Sequence, residues 1–228
     1  MSEHEDCEHE AMEVMQMVGG QEKSNRIWIG GFDDNLARMF SERVLEISSR
    51  DENKPIVLYI NSPGGDADAM LAMMAVMDSV PNTFITVAIG QASSAGAFLL
   101  AHGDIRFVSP YSRVMIHEIS AGASGHIDDL ETSMKNLVAV NNIAIDTLAK
   151  NMGKTVTEVR EIFKKRGRNM FLSPEETVEL GIADHVGVPT IREVPISNTK
   201  YEISLSAINK TGTQRRASPP KKAPKKKK

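Results

Sequence analysis

Three short segments carry residue types that could do chemistry together. Ser94 sits in Ala92-Ser93-Ser94-Ala95-Gly96, between two apolar runs. Small residues around a serine let the chain turn sharply and expose its hydroxyl, and the first amides of a following helix favour developing negative charge. Ala92 replaces the first glycine of a Gly-x-Ser-x-Gly elbow, and small residues at a helix start more often mean close packing on a sheet. His117 directly follows Val114-Met115-Ile116, so its imidazole stands at a strand end, where a general base could serve. Taken alone, a structural histidine is the simpler reading. Gly64-Gly65 end a strand and precede a helix, which first raises a phosphate site. The Gly-x-Gly-x-x-Gly spacing is missing, no Gly-Lys-Ser/Thr follows this glycine pair, and Asp66 at the helix start would repel phosphate, so a nucleotide site is set aside. Two free amides at that turn would serve equally well as an oxyanion hole.

The elements that must position these groups follow from periodicity. Arg26–Ile29, Ile56–Ile60, Phe84–Ile89, Ile105–Val108 and Arg113–Ile116 read as strands, and the compact run Ile56–Ile60 as a fully buried parallel one. Asn35–Ser48, Asp66–Val80 and Ser94–Ala101 read as helices, with Met70, Met73, Met74 and Met77 as core filler on the second. Ser124 is the expected N-cap of a long helix reaching Asn151, and Gly153 its stop. Thr155 with Glu158, and Ser173 with Glu176, form capping-box patterns that open two more helices. Alternating strands and helices predict an α/β fold with a mostly parallel sheet. The long helix has a stripe at Ile127, Leu130, Met134, Leu137, Ile145 and Leu148. Val138, Val140, Ile143 and Ala144 spread apolar surface further round it, so it needs more than one neighbour.

Composition bounds the rest. Net charge is −3, but residues 1–23 hold seven acids against Lys23, and residues 209–228 hold nine bases and no acid. We expect an acidic flexible segment over 1–24, a folded domain over 25–190, and a C-terminal extension over 191–228 ending in a basic disordered tail. Cys7 is the only cysteine, so no intrachain disulfide forms, which with the absence of a signal-like N-terminus points to a reducing, cytoplasmic setting. The uncharged stretch Ser79–Gly103 is interrupted by Pro81, Asn82, Gly90 and Gly96, so it is read as strand, turn and helix, with no membrane span. His4, Cys7 and His9 could chelate a metal, but incidental ligands in an acidic head are the simpler reading, and no metal or cofactor is expected.

Taken in register, the segments Tyr59-Ile60-Asn61-Ser62-Pro63-Gly64-Gly65, Gly96-Ala97-Phe98-Leu99-Leu100, Ser112-Arg113-Val114-Met115-Ile116-His117, Asn169-Met170-Phe171-Leu172-Ser173 and Glu179-Leu180-Gly181-Ile182-Ala183-Asp184 resemble the signature segments of the ClpP peptidases, family S14. The resemblance runs from about Arg26 to Val186. It implies a ClpP/crotonase-like fold and a serine endopeptidase cutting extended or unfolded polypeptide inside an oligomeric chamber. By position it makes Ser94 the nucleophile and His117 the base, with the backbone N–H groups of Gly65 and Ala95 as oxyanion hole. Gly64, Gly65, Ser124 and Gly125 would bind substrate backbone by strand addition, along a strand around Ala121–Gly125. It further implies heptameric rings stacked as a tetradecamer, with Ile127–Asn151 as the ring-to-ring handle helix, and a Clp-type ATPase as partner. Three features depart from the family pattern. Asn169 stands where the third catalytic residue is an aspartate. Val57 and Ser79 replace aromatics of the ATPase-docking cleft, although Tyr59 is kept. The usual N-terminal gating segment has no counterpart in Met1–Lys23. These departures keep open a catalytically attenuated ring partner or a viral maturation protease as alternatives.

Overall fold

The computed structural model describes residues 24–120, 122, 124–194 and 200–205. The acidic head, with His4, Cys7 and His9, and the basic tail lie outside the described residues. Six helices and nine strands fall within them. The strands are β1 (Arg26–Ile29), β2 (Ile56–Ser62), β3 (Phe84–Ser93), β4 (Ile105–Val108), β5 (Arg113–Ile116), β6 (Met170–Leu172), β7 (His185–Val186), β8 (Pro189–Val194) and β9 (Lys200–Leu205). The helices are α1 (Asp34–Arg50), α2 (Ala67–Ser79), α3 (Ala95–His102), α4 (Ile127–Asn151), α5 (Val156–Arg166) and α6 (Pro174–Glu179).

Strands β1, β2, β3, β4 and β7 form a parallel sheet in that order, as the alternation of elements predicts. The ten-residue β3 serves two neighbours in turn. Its first half, Ile85–Ala88, pairs β4, and its second half, Gln91–Ser93, pairs β5. The change falls at a register shift between Ile60 and Ser62 of β2. The end of β3 is thereby turned away from β4 towards β5, whose end carries His117. β6 pairs β5 antiparallel, with Ile116 opposite Met170.

One face of the sheet carries the helices and the main core, including the fully buried Phe40, Met73, Leu99 and Ile145. The methionine stripe of α2 is buried there, as core filler should be. The other face holds a smaller cluster of Val57, Ile85, Val87 and Phe107, over which Ile191 and Ile203 pack from the β8–β9 hairpin. That hairpin was not anticipated, and the expected boundary at 190 falls inside β8.

One local expectation is corrected. α4 starts at Ile127 after His126, which is extended (φ −70°, ψ 158°) and makes no side-chain cap, so Ser124 is not the N-cap. Asp128 and Asp129 sit in the first turn of α4, where the positive helix end favours them. Of the strand expected around Ala121–Gly125, residues 121 and 123 lie outside the described residues, and residues 122, 124 and 125 pair with no strand among them. Both capping boxes are formed, at Thr155–Glu158 and Ser173–Glu176. α4 meets the core only near its end: Ile127, Met134, Val138 and Ile143 are exposed, while Ala144, Ile145, Leu148 and Ala149 are buried.

Arg106 ties the end of the sheet to the helix layer. Its Nη2 donates to Asp184 Oδ1 at 2.6 Å and its Nε to Asp184 Oδ2 at 3.1 Å. Nη1 reaches the carbonyls of Asn151 (2.9 Å) and Gly181 (2.8 Å), which no helical amide satisfies. Arg106→Ala would take the guanidinium from the Asp184 carboxylate, which keeps only the Arg106 N–H at 2.8 Å, and would leave two carbonyls unpaired. The expected loss is about 3 kcal/mol, read from the urea-unfolding midpoint.

Candidate active site

β3 ends at Ser93, and the Ser94 N–H still donates to the Met115 carbonyl at 2.7 Å. The chain then reverses into α3 through Ser94 itself, at φ 53° and ψ −122°. It is the one non-glycine residue with positive φ among the described residues. Such a conformation costs on the order of 1–3 kcal/mol and persists where the surroundings enforce it. Here both flanks are fixed, by the β3–β5 pairing before the turn and by the buried helix Ala95–His102 after it. The hydroxyl makes no helix cap; its Oγ lies 2.8 Å from Nε2 of His117. Neighbouring Ser93 is buried, and its Oγ accepts from Gln91 Nε2 at 2.9 Å.

His117 is held from both sides. β5 sets its start, and after it the Ile119 N–H donates to Asn141 Oδ1 on α4 at 2.9 Å. Glu118 pairs with Arg160 at 3.6 Å. Burial pushes the imidazole pKa below its usual 6.5, because desolvation penalises the charged form. The ring is therefore neutral at pH 7. With Nε2 accepting the Ser94 hydroxyl, the proton of the neutral ring sits on Nδ1. Among the described residues Nδ1 has no hydrogen-bond partner.

Asn169 lies one residue beyond the last β5–β6 pair, as His117 does on its own strand, so both stand at the same end of the ladder. Its side chain is exposed and makes no hydrogen bond among the described residues. Asp184, the nearest acid in the motif order, is committed to Arg106 and does not reach the imidazole.

The two glycines are spatially required. A Cβ on Gly64 would stand 2.7 Å from Ser94 Cβ, and one on Gly65 would stand 2.3 Å from the Phe32 carbonyl oxygen. The chain passes there between β1 and the serine turn. Phe32 bridges Gly65 in parallel, through Phe32 N–H to Gly64 O (3.0 Å) and Asp66 N–H to Phe32 O (2.9 Å). That pattern leaves the Gly65 N–H outside the bridge. The Ala95 N–H, first of α3, has no intrahelical acceptor either.

A cavity of about 480 Å³ opens beside Ser94 and His117, with Gly65 and Ala95 on its wall. Met70 and Phe98 form its buried floor, Leu137 and Val140 of α4 one side, and the exposed Asp66 and Asp68 its rim. Part of the extra apolar surface of α4 is therefore cavity wall. Ser124 and Gly125 are exposed and lie outside this cavity. Periodicity alone gave no sign of Leu137, Val140 or Asn141 as neighbours of the site, since they are distant in sequence. Asp66 was legible as a helix start, and it does cap α2 through the Ala69 N–H at 2.8 Å.

The Clp protease family model matches residues 9–190, most of the chain. The match ends at the close of the main sheet and enters the acidic head at its start. It spans the serine turn, the histidine and the glycine pair in one register. This chain belongs to the Clp protease family, whose members are peptidases, generally of the serine type.

Proposed function

We propose that the chain is a serine endopeptidase acting on extended or unfolded polypeptide, with Ser94 as nucleophile and His117 as general base. The 2.8 Å contact between Ser94 Oγ and His117 Nε2, at a strained strand-to-helix turn, carries this reading. The neutral imidazole takes the hydroxyl proton as Oγ attacks the scissile carbonyl. The N–H groups of Gly65 and Ala95 receive the oxyanion. The imidazolium returns its proton to the leaving amine, and water, deprotonated by the same ring, hydrolyses the acyl-ester. Asn169 takes the place of the third residue, one position beyond the β5–β6 ladder.

Its exposed, unbonded side chain favours a second reading, an attenuated ring partner in which the dyad turns over slowly. Hydrolysis separates the two. Purified protein is expected to release fragments from a reduced, alkylated polypeptide and to hydrolyse a short fluorogenic peptide. Ester hydrolysis without any peptide cleavage would favour the attenuated partner, and neither activity would contradict the peptidase reading.

Assembly into heptameric rings, stacked in pairs, is part of the proposal. Its support is the exposed apolar surface of Ile127, Met134, Val138 and Ile143 on a helix that buries only Ala144, Ile145, Leu148 and Ala149. Light scattering should give a mass many times that of one chain, and Ile143→Glu together with Val138→Glu should lower it, because an unpaired charge resists burial. A monomer with full peptidase activity would refute the ring. For a Clp-type ATPase, Val57 lies buried beneath Ile191 and Ile203, so it offers no docking surface while the hairpin is seated. The exposed Trp28, stacked on Tyr59 at 5.1 Å, is the apolar surface left beside it.

A further inference from the structure

We infer that the cavity beside Ser94 selects a basic side chain, Lys or Arg, at the substrate residue it receives, and that Asp66 and Asp68 set this choice; the inference rests on the peptidase reading above. The site is the cavity itself, already placed by the serine and histidine, and the question is what its walls prefer. Its depth is apolar: Met70 and Phe98 are buried, and Leu137 and Val140 are half-buried. Its rim is acidic. Asp66 uses Oδ1 to cap α2, and Asp68 has no hydrogen bond or ion pair among the described residues. No Lys or Arg lines the cavity. The one basic group on its wall, His117, is neutral at pH 7 through burial, and Glu118 behind it is paired with Arg160. The lining therefore carries two negative charges with no cation to match.

A long aliphatic stem with a cationic head answers both features. The stem covers apolar surface while the head stays at the wet rim, as lysine and arginine do at other boundaries. A leucine fills the apolar depth but leaves the carboxylates unanswered. A glutamate is repelled. Because both carboxylates are exposed, the discrimination is moderate and screened by salt.

Two peptidyl diphenyl phosphonates that differ only in the reactive residue, Lys or Leu, test this on the native assembly. The rate of modification at Ser94 is followed by intact mass. The lysine reagent is expected to react about fivefold faster at low salt, with the ratio shrinking towards one in molar salt. Asp68→Asn should lower the ratio, and Asp66→Asn, which keeps a capping side chain, should lower it further. A leucine reagent that reacts as fast or faster, while a small fluorophosphonate still modifies Ser94, overturns the charge selection and leaves the peptidase reading standing. A ratio that neither substitution moves also overturns it. If the small fluorophosphonate fails at Ser94 as well, the peptidase reading falls and takes this inference with it.

Discussion

Ser94→Ala is expected to reduce peptide hydrolysis by about 10⁵-fold or more, to background, whereas Ser93→Ala keeps it within about tenfold. The two hydroxyls are adjacent in sequence but differently employed. Ser93 is the last residue of β3, buried, with its Oγ taken by Gln91. Ser94 stands outside the ladder at positive φ with its Oγ on the imidazole. Alanine at position 94 keeps the strained backbone and removes one atom that no structural bond requires, so the variant should fold and assemble like the native chain. Initial rates on a fluorogenic peptide, with circular dichroism as the control for folding, decide it. Equal losses in the two variants would mean that the nucleophile has been assigned to the wrong serine.

Asn169→Asp should raise kcat by at least about tenfold, against a loss of about 10⁴ for the opposite change in the serine-protease template. In the native chain the Nδ1 side of His117 has no hydrogen-bond partner among the described residues, so nothing there holds the catalytic tautomer or stabilises the imidazolium. A carboxylate opposite the ring would do both. The pH profile supplies a second, independent readout. Activity requires neutral His117, and burial lowers its pKa, so the acid limb of kcat/KM in the native chain should lie below pH 6.5. A negative charge at position 169 favours the imidazolium, raises that pKa and moves the acid limb to higher pH. Asn169→Ala should be slower than the native chain. An Asn169→Asp variant with unchanged rate and unchanged limb would show that this residue does not act on His117.

Much of this was legible because single-residue chemistry and short periods determine it. The apolar run Ile56–Ile60 reads as a buried parallel strand and is one, extended to Ser62. The pairs Thr155–Glu158 and Ser173–Glu176 read as capping boxes because each satisfies local amides, whatever the rest of the chain does. Ser124 misled for the same kind of reason: it has the right chemistry for a cap, but the chain enters α4 two residues later, at His126. Half of the β8–β9 hairpin carries a readable signal, the apolar alternation of Tyr201-Glu202-Ile203-Ser204-Leu205, whereas Thr190-Ile191-Arg192-Glu193-Val194 does not alternate. The cavity was not legible at all. Its walls come from α2, α3 and α4, and only tertiary packing brings Val140 to Ser94. Likewise the strain at Ser94 depends on the sheet that pins both of its flanks, which no local pattern reports.

The most direct test of the central claim is to treat the native protein with a fluorophosphonate and map the modified residue by peptide mass spectrometry. One adduct per chain, on Ser94, lost in Ser94→Ala and slowed in His117→Ala, is the expected result. An adduct on Ser93 or another hydroxyl, or none under conditions in which the protein hydrolyses peptide, would contradict the assignment of Ser94 and His117 as the reacting pair.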